Sequence, residues 1–210
     1  MKPGSVAKTA ATVATGLYTV GLHLAGVRLT GGAKSLLSYV PSVVVVLILI
    51  ADKWAWRWPL VHRLTGHPYL AGTWRLKLRP STDSHIPACG NRGPIDAFLV
   101  VEQTWFGIHL TQVTKESRST SLGASFRKAD HSGQHQLLYT YVNVPLQHHQ
   151  PRSTQHDGAC SFMMIGRDPE AVDAFYFTNR LTRGDISAVR LDRKSDQINY
   201  ESLVARHGAS

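Results

Sequence analysis

Leu138-Tyr139-Thr140-Tyr141-Val142-Asn143-Val144, LYTYVNV, alternates with a period of two. A strand sends successive side chains to opposite faces. Tyr139, Tyr141 and Asn143 therefore share one face, and Leu138, Val142 and Val144 the other. Outward from this stretch the pattern recurs. Gly72–Leu78 alternates and ends at Pro80; Phe98–Trp105, Ile108–Lys115, Ser121–Arg127, Gln136–Val144, Ala159–Ile165, Ala174–Asn179 and Ile186–Asp192 follow. Each is rich in β-branched and aromatic residues, and each meets a Gly, Pro, Asp, Ser or Asn breaker. Residues 81–96, rich in Ser, Pro, Gly and Asn, read as a long loop. About eight strands with short connections and no helix between them predict an antiparallel meander closed into a barrel, with a sandwich as the alternative. Eight strands enclose just enough room for side chains or one small ligand.

The polar faces of these strands bear on function. In Phe175-Tyr-Phe-Thr-Asn-Arg180, Tyr176, Thr178 and Arg180 share a face. Thr111, Val113 and Lys115 alternate with Gln112 and Thr114, and Ser117, Ser119 and Ser121 follow. Two readings fit: the polar face points to water over a packed aliphatic core, or it lines a cavity. A lined cavity with such groups suits a nucleotide. Tyrosines stack on bases, hydroxyls and amides read base edges, and an arginine meets a phosphate.

Before the strands the chain has a different character. Leu36 to Ala51, LLSYVPSVVVVLILIA, carries no charge, and Asp52-Lys53 with Trp54, Trp56 and Trp58 closes it. The run predicts a membrane span that the tryptophans anchor at the interface. Thr9 to Val27 holds no Lys, Arg, Asp or Glu, only His23, and predicts a thinner span. Its Gly21/Ala25 and Ala10/Ala14 pairs, four residues apart, suit helix–helix packing. A cleaved signal peptide is the competing reading of this end. The expected organisation is a two-helix transmembrane region over 1–60, joined by a loop over 28–35, and a β-barrel domain over 61–210. Basic residues at both ends of the hairpin favour a barrel in the cytoplasm.

The formal charge is +9, but residues 1–58 hold six Lys/Arg against one acid, while the bases of the remainder are interleaved with acids. That suits an anionic leaflet better than a DNA or RNA groove. Cys89 and Cys160 are too few for a disulfide framework and read as reduced thiols. The chain has no Walker A, GxSxG, HExxH or paired-carboxylate motif. The histidines at 131, 135, 148, 149 and 156 match no usual zinc spacing. Neither an enzyme nor a metal site is expected.

In chain order, the helical hairpin, Trp54 to Pro59, Leu70-Ala-Gly-Thr-Trp74, Val101-Glu-Gln-Thr-Trp105, Thr114 to Ser121, Leu138 to Asn143, His156-Asp-Gly158, and Phe175 to Arg180 with Gly184 resemble a known family. It is the two-transmembrane, β-strand-rich effector found beside cGAS/DncV-like nucleotidyltransferases in bacterial CBASS antiphage systems. The resemblance implies a lipocalin-like barrel in the cytoplasm that binds a cyclic dinucleotide and needs no cofactor. It also implies a multi-pass protein of the inner membrane, whose spans oligomerise on binding, damage the bilayer and arrest or kill the infected cell. The ligand-binding residues expected on this basis are Trp74, Thr114, Tyr139, Tyr141, Asn143, Tyr176, Thr178, Asn179 and Arg180. Arg180 is the phosphate partner, unless it pairs with Asp185, and Asn179 takes over if the register moves by one. A membrane-anchored lipocalin-like carrier of an apolar molecule is the alternative. The sparse first span and the long 81–96 loop depart from the family pattern.

Overall fold

A computed structural model describes residues 3–24, 39–41, 43–48, 50, 68–86, 90–104, 107–128, 133–151, 153–195 and 199–208. The chain divides into two compact units, one of Met1–Leu64 with Thr104–Gly107 and one of Thr65–Gln103 with Ile108–Ser210.

In the first unit, α1 spans Pro3–Leu24. Residues 39–41, 43–48 and 50 are also helical, and Val43, Val44, Val46, Leu47 and Ile50 are all exposed there. Among the described residues no helix is long and apolar enough to cross a membrane. In α1 the reason lies in the threonines and glycines of TAATVATGLYTVG. The remainder of the Leu36–Ala51 run, the 28–35 loop and the Trp54–Pro59 exit lie outside the described residues, as do Cys89 and His131.

The second unit is an eight-stranded antiparallel barrel, each strand paired with the next and β8 closing on β1. The strands are β1 Gly72–Pro80, β2 Ile95–Gln103, β3 Ile108–Val113, β4 Ser117–Lys128, β5 Gln134–Pro145, β6 His156–Ile165, β7 Ala171–Thr178 and β8 Arg183–Asp192. All eight stretches expected from the alternation are strands. At the closing seam Gly72 has φ +132°, and a Cβ there would lie 2.2 Å from the Asp192 carbonyl oxygen. Only glycine lets the two backbones meet at that point.

The meander gives the barrel two unlike ends. At one, the loop end, the chain leaves β1, β3, β5 and β7 for the next strand; at the other it leaves β4 and β6 and enters β1. The second end is plugged. Pro68 and Leu70 are buried, and their backbone is bonded throughout. Gln103 accepts from Leu70 N at 2.8 Å and donates to Pro68 O at 2.9 Å. The Trp74 indole N–H donates to Leu70 O at 2.8 Å. Arg190, its side chain only 2% exposed, donates to Tyr69 O, Pro169 O and Asp168, with its guanidinium 4.7 Å from the Trp74 ring. Above the plug the interior is apolar, with Leu76, Leu78, Leu99, Leu137, Phe162 and Ile186 at its centre.

Helix α2, Tyr200–His207, covers the outer face of β2 and β3, seating Leu203 on Phe98, Val100 and Val113. Asn199 caps it by accepting from Glu201 N at 2.9 Å, satisfying one of the free donors of a helix start. This helix is absent from the sequence reading. It is short, and only Leu203 is buried, so its apolar period is too brief to register.

Candidate functional site

Register fixes which side chains meet inside the barrel. On β5, His135, Leu137, Tyr139, Tyr141 and Asn143 turn inward and Leu138, Thr140 and Val144 outward. On β7, Val172, Ala174, Tyr176 and Thr178 turn inward, leaving Phe175 and Phe177 exposed. The polar-tyrosyl face is therefore the inner one. Cross-strand pairing stacks these residues in rows: Ser119, Asn143 and His156 nearest the loop end; then Tyr141, Gly158 and Thr178; then Tyr139, Cys160, Tyr176 and Gly184. The interior grades from polar at the loop end to apolar at the plug.

The outermost row is a connected hydroxyl–amide cluster. The Asn143 Nδ2 donates to Ser119 Oγ at 2.8 Å and to Ser117 Oγ at 3.0 Å. Ser117 Oγ lies 3.1 Å from Thr114 Oγ1, which also accepts from Ser117 N and Glu116 N. This turn chemistry fixes the β3–β4 connection while keeping its hydroxyls at the rim. Asn143 Oδ1 keeps its acceptor capacity.

Across the rim stands Arg180. It lies in the β7–β8 turn rather than on the strand, because β7 ends at Thr178. Thr178 Oγ1 accepts from Arg180 N at 3.2 Å and shares a hydroxyl contact of 2.6 Å with Thr182. The Arg180 guanidinium donates to Ser153 Oγ at 3.0 Å and approaches His156 Nδ1 at 3.4 Å. His156 Nδ1 is 3.1 Å from the Thr154 carbonyl. The shorter contact fits a proton on Nδ1, which leaves Arg180 with unused donors. Among the described residues no carboxylate pairs with Arg180, Asp185 included.

The electrostatics around Arg180 are those of a cation beside neutral hydroxyls. Burial, with Asp185 adding to it, pushes the Tyr176 phenol up to about 12. Burial likewise raises Tyr139 and Tyr141, and it pushes the Cys160 thiol up to about 12. All four stay protonated at neutral pH, so the phenols can donate to an anion instead of repelling it. Burial first, and Arg180 after it, lowers His156, against the raising effects of the Thr154 carbonyl and Asp157.

Of the expected site residues, Thr114, Tyr139, Tyr141, Asn143, Tyr176 and Thr178 lie on or beside this inner face, with Arg180 at its rim. Two lie elsewhere. Asn179 is exposed in the turn, its side-chain carbonyl accepting from Asp157 N at 3.2 Å. Trp74 is at the plugged end, held by Leu70 O and Arg190. Sequence reasoning passed over Ser153, Thr182 and Gly158. A Cβ at Gly158 would lie 2.5 Å from the Tyr141 ring and hydroxyl, so this glycine makes the seat for Tyr141. Its sequence signal was the small residue opposite a tyrosine, legible only once the β5–β6 register is known.

No curated protein matches the chain. The family model described as "Cap15, cyclic dinucleotide receptor domain" matches residues 65–193, more than half of the chain and all eight strands. The chain belongs to the Cap15 cyclic dinucleotide receptor family, and its barrel is the sensor of a CBASS effector that binds a cyclic dinucleotide.

Proposed function

We propose that the loop end of the barrel receives the cyclic dinucleotide. The carrying observation is that the Asn143–Ser117–Ser119–Thr114 cluster and Arg180, a cation with no carboxylate partner among the described residues, lie at the same end of the barrel. A cyclic dinucleotide has two phosphodiester charges and two flat bases. Arg180, with Ser153 and His156 beside it, takes a phosphate; Tyr141 and Tyr176 offer rings; Asn143 and Thr178 offer base-edge partners. The gradation toward the apolar plug limits the ligand's depth.

The N-terminal unit is the output on this reading. The bare aliphatic side chains of Val43, Val44, Val46, Leu47 and Ile50 support insertion into a bilayer, since such a row stays exposed only where lipid or another apolar surface covers it. Occupancy of the barrel drives association of these segments in the bacterial inner membrane, the bilayer is damaged, and the infected cell stops growing. The activating ligand comes from a partner nucleotidyltransferase. The barrel acts as a receptor with no catalytic step.

The test is dye leakage from anionic vesicles containing the full chain, on addition of cyclic dinucleotides one at a time. Leakage driven by at least one of them, and lost on deletion of 1–58, is expected. Leakage that survives the deletion would end the membrane mechanism.

A further inference from the structure

The β1–β2 connection begins as a strap across the turn that carries Arg180. β1 ends at Pro80, whose partner across the closing seam is Gly184. Ser81 continues the pairing, its N–H donating to Arg183 O at 2.9 Å. The chain then turns, with Ser84 N donating to Ser81 O at 3.0 Å. This turn returns the Ser84 hydroxyl to the same arginine backbone. Ser84 Oγ donates to Arg183 O at 2.5 Å and accepts from Arg183 N at 2.8 Å. One hydroxyl, on a residue 5% exposed, thus holds both backbone polar groups of Arg183. On either side of it, His85 N donates to Leu181 O at 3.1 Å, and the Asp83 carboxylate pairs with the Arg183 guanidinium.

The strapped turn is conformationally costly. Leu181 has φ +59° and is the one non-glycine residue with a positive φ among the described residues. A Cβ in that conformation crowds the following carbonyl oxygen. The Leu181 side chain is 75% exposed, so packing gives little in return. Such a residue persists only where its surroundings over-determine it. Here they do so from two directions. Asn179 is tied to β6, its N–H donating to Asp157 O at 3.0 Å and its side-chain carbonyl accepting from Asp157 N at 3.2 Å. Leu181 and Arg183 are tied to residues 83–85. Arg180 lies between the two ties, next to the strained residue, with its guanidinium on Ser153.

We infer, on the basis of the phosphate role proposed for Arg180, that Ser84 is a positioning residue for nucleotide binding, with Asp83 as its support. It holds the β7–β8 turn in the conformation that keeps Arg180 at the rim. Its proton is committed to the Arg183 carbonyl, so it acts through the turn and not as a donor to the ligand. The start of the long 81–96 loop thereby takes part in recognition from outside the barrel interior.

Calorimetric titration of the full chain in detergent with cyclic dinucleotides tests this, with Tm read on each variant. Ser84→Ala should weaken binding about tenfold, because only the fraction of chains with the turn in place is competent. Ser84→Thr keeps the hydroxyl and should restore most of the affinity. Asp83→Ala removes an exposed ion pair that adds little to stability, and should weaken binding to a smaller degree at nearly unchanged Tm. In an Arg180→Ala background, Ser84→Ala should have almost no further effect. Wild-type affinity in both Ser84→Ala and Asp83→Ala, a loss in Ser84→Ala that Ser84→Thr leaves unrestored, or an undiminished loss in the Arg180→Ala background would each overturn the inference. Wild-type affinity in Arg180→Ala alone would overturn the phosphate role of Arg180 first, and the positioning role with it.

Discussion

Asn143 and Ser119 face each other across the β4–β5 pair inside the barrel, with Nδ2 2.8 Å from Oγ and both residues buried. A buried amide that spends its donors on hydroxyls two strand positions apart leaves its carbonyl as the acceptor for a ligand donor. Asn143→Ala should cost about 1–2 kcal/mol of stability from the lost hydrogen bonds, seen as a modest fall in Tm. It should also lower cyclic dinucleotide affinity at least tenfold by titration calorimetry. Asn143→Asp should keep the fold and bind more weakly still, since it adds an anion where phosphates approach.

Gly158 sets the position of Tyr141. Gly158→Ala would drive a methyl group against the tyrosine ring and against the Phe177 carbonyl, 2.8 Å away. Overpacking of this kind costs about 1–3 kcal/mol. The second substitution Tyr141→Leu should recover part of that stability, because the ring contact is then removed and the carbonyl contact is not. It should not recover ligand binding, which thermal shift with and without nucleotide would separate.

His156 makes both stability and affinity depend on pH, with opposite signs. Its folded pKa lies below the usual imidazole value, chiefly through burial, so the unfolded chain binds the proton more readily. The stability it contributes is present above the unfolded pKa, near 6.5, and falls as pH drops below it. A phosphate beside Arg180 and His156 would raise that pKa, so binding takes up a proton and tightens as pH falls from 7.5 toward 5.5. Calorimetry in buffers of different ionisation enthalpy should show net proton uptake that disappears in His156→Gln.

The plugged end should behave as structure and not as receptor. Arg190→Met would strip the donors from Tyr69 O and Pro169 O and leave Asp168 to Arg193 alone. Leaving a buried carbonyl without its donor typically costs about 1–3 kcal/mol, and two carbonyls are affected here, so a large fall in Tm is expected. Below the new Tm the folded protein should bind nucleotide with affinity within about threefold of wild type, because the substitution is at the far end from Arg180.

The strands were legible because their period is short and their breakers frequent; LYTYVNV alone separates tyrosines from aliphatics correctly. Position along the barrel axis was not. Trp74 and Tyr176 look alike as aromatics on alternating strands, yet pairing places Trp74 beside the plug and Tyr176 opposite Cys160. Arg180 read as a continuation of the β7 face, but the Thr178–Thr182 hydroxyl contact turns the chain first. The start of β4 left two readings open, a pocket mouth or a plain polar turn, because Ser117, Arg118 and Ser119 lack apolar side chains; in the barrel, Ser117 and Ser119 belong to the inner rim. Distances such as that from Arg180 to Ser153 join loops far apart in sequence, and no local pattern encodes them.

The central claim is that Arg180 meets the ligand phosphate. The most direct measurement is calorimetric titration of the full chain in detergent with a panel of cyclic dinucleotides, comparing wild type, Arg180→Ala and Arg180→Lys. The account predicts saturable binding of at least one member by wild type, a loss of at least a hundredfold in Arg180→Ala at unchanged Tm, and partial recovery in Arg180→Lys. Equal affinity in wild type and Arg180→Ala would contradict it.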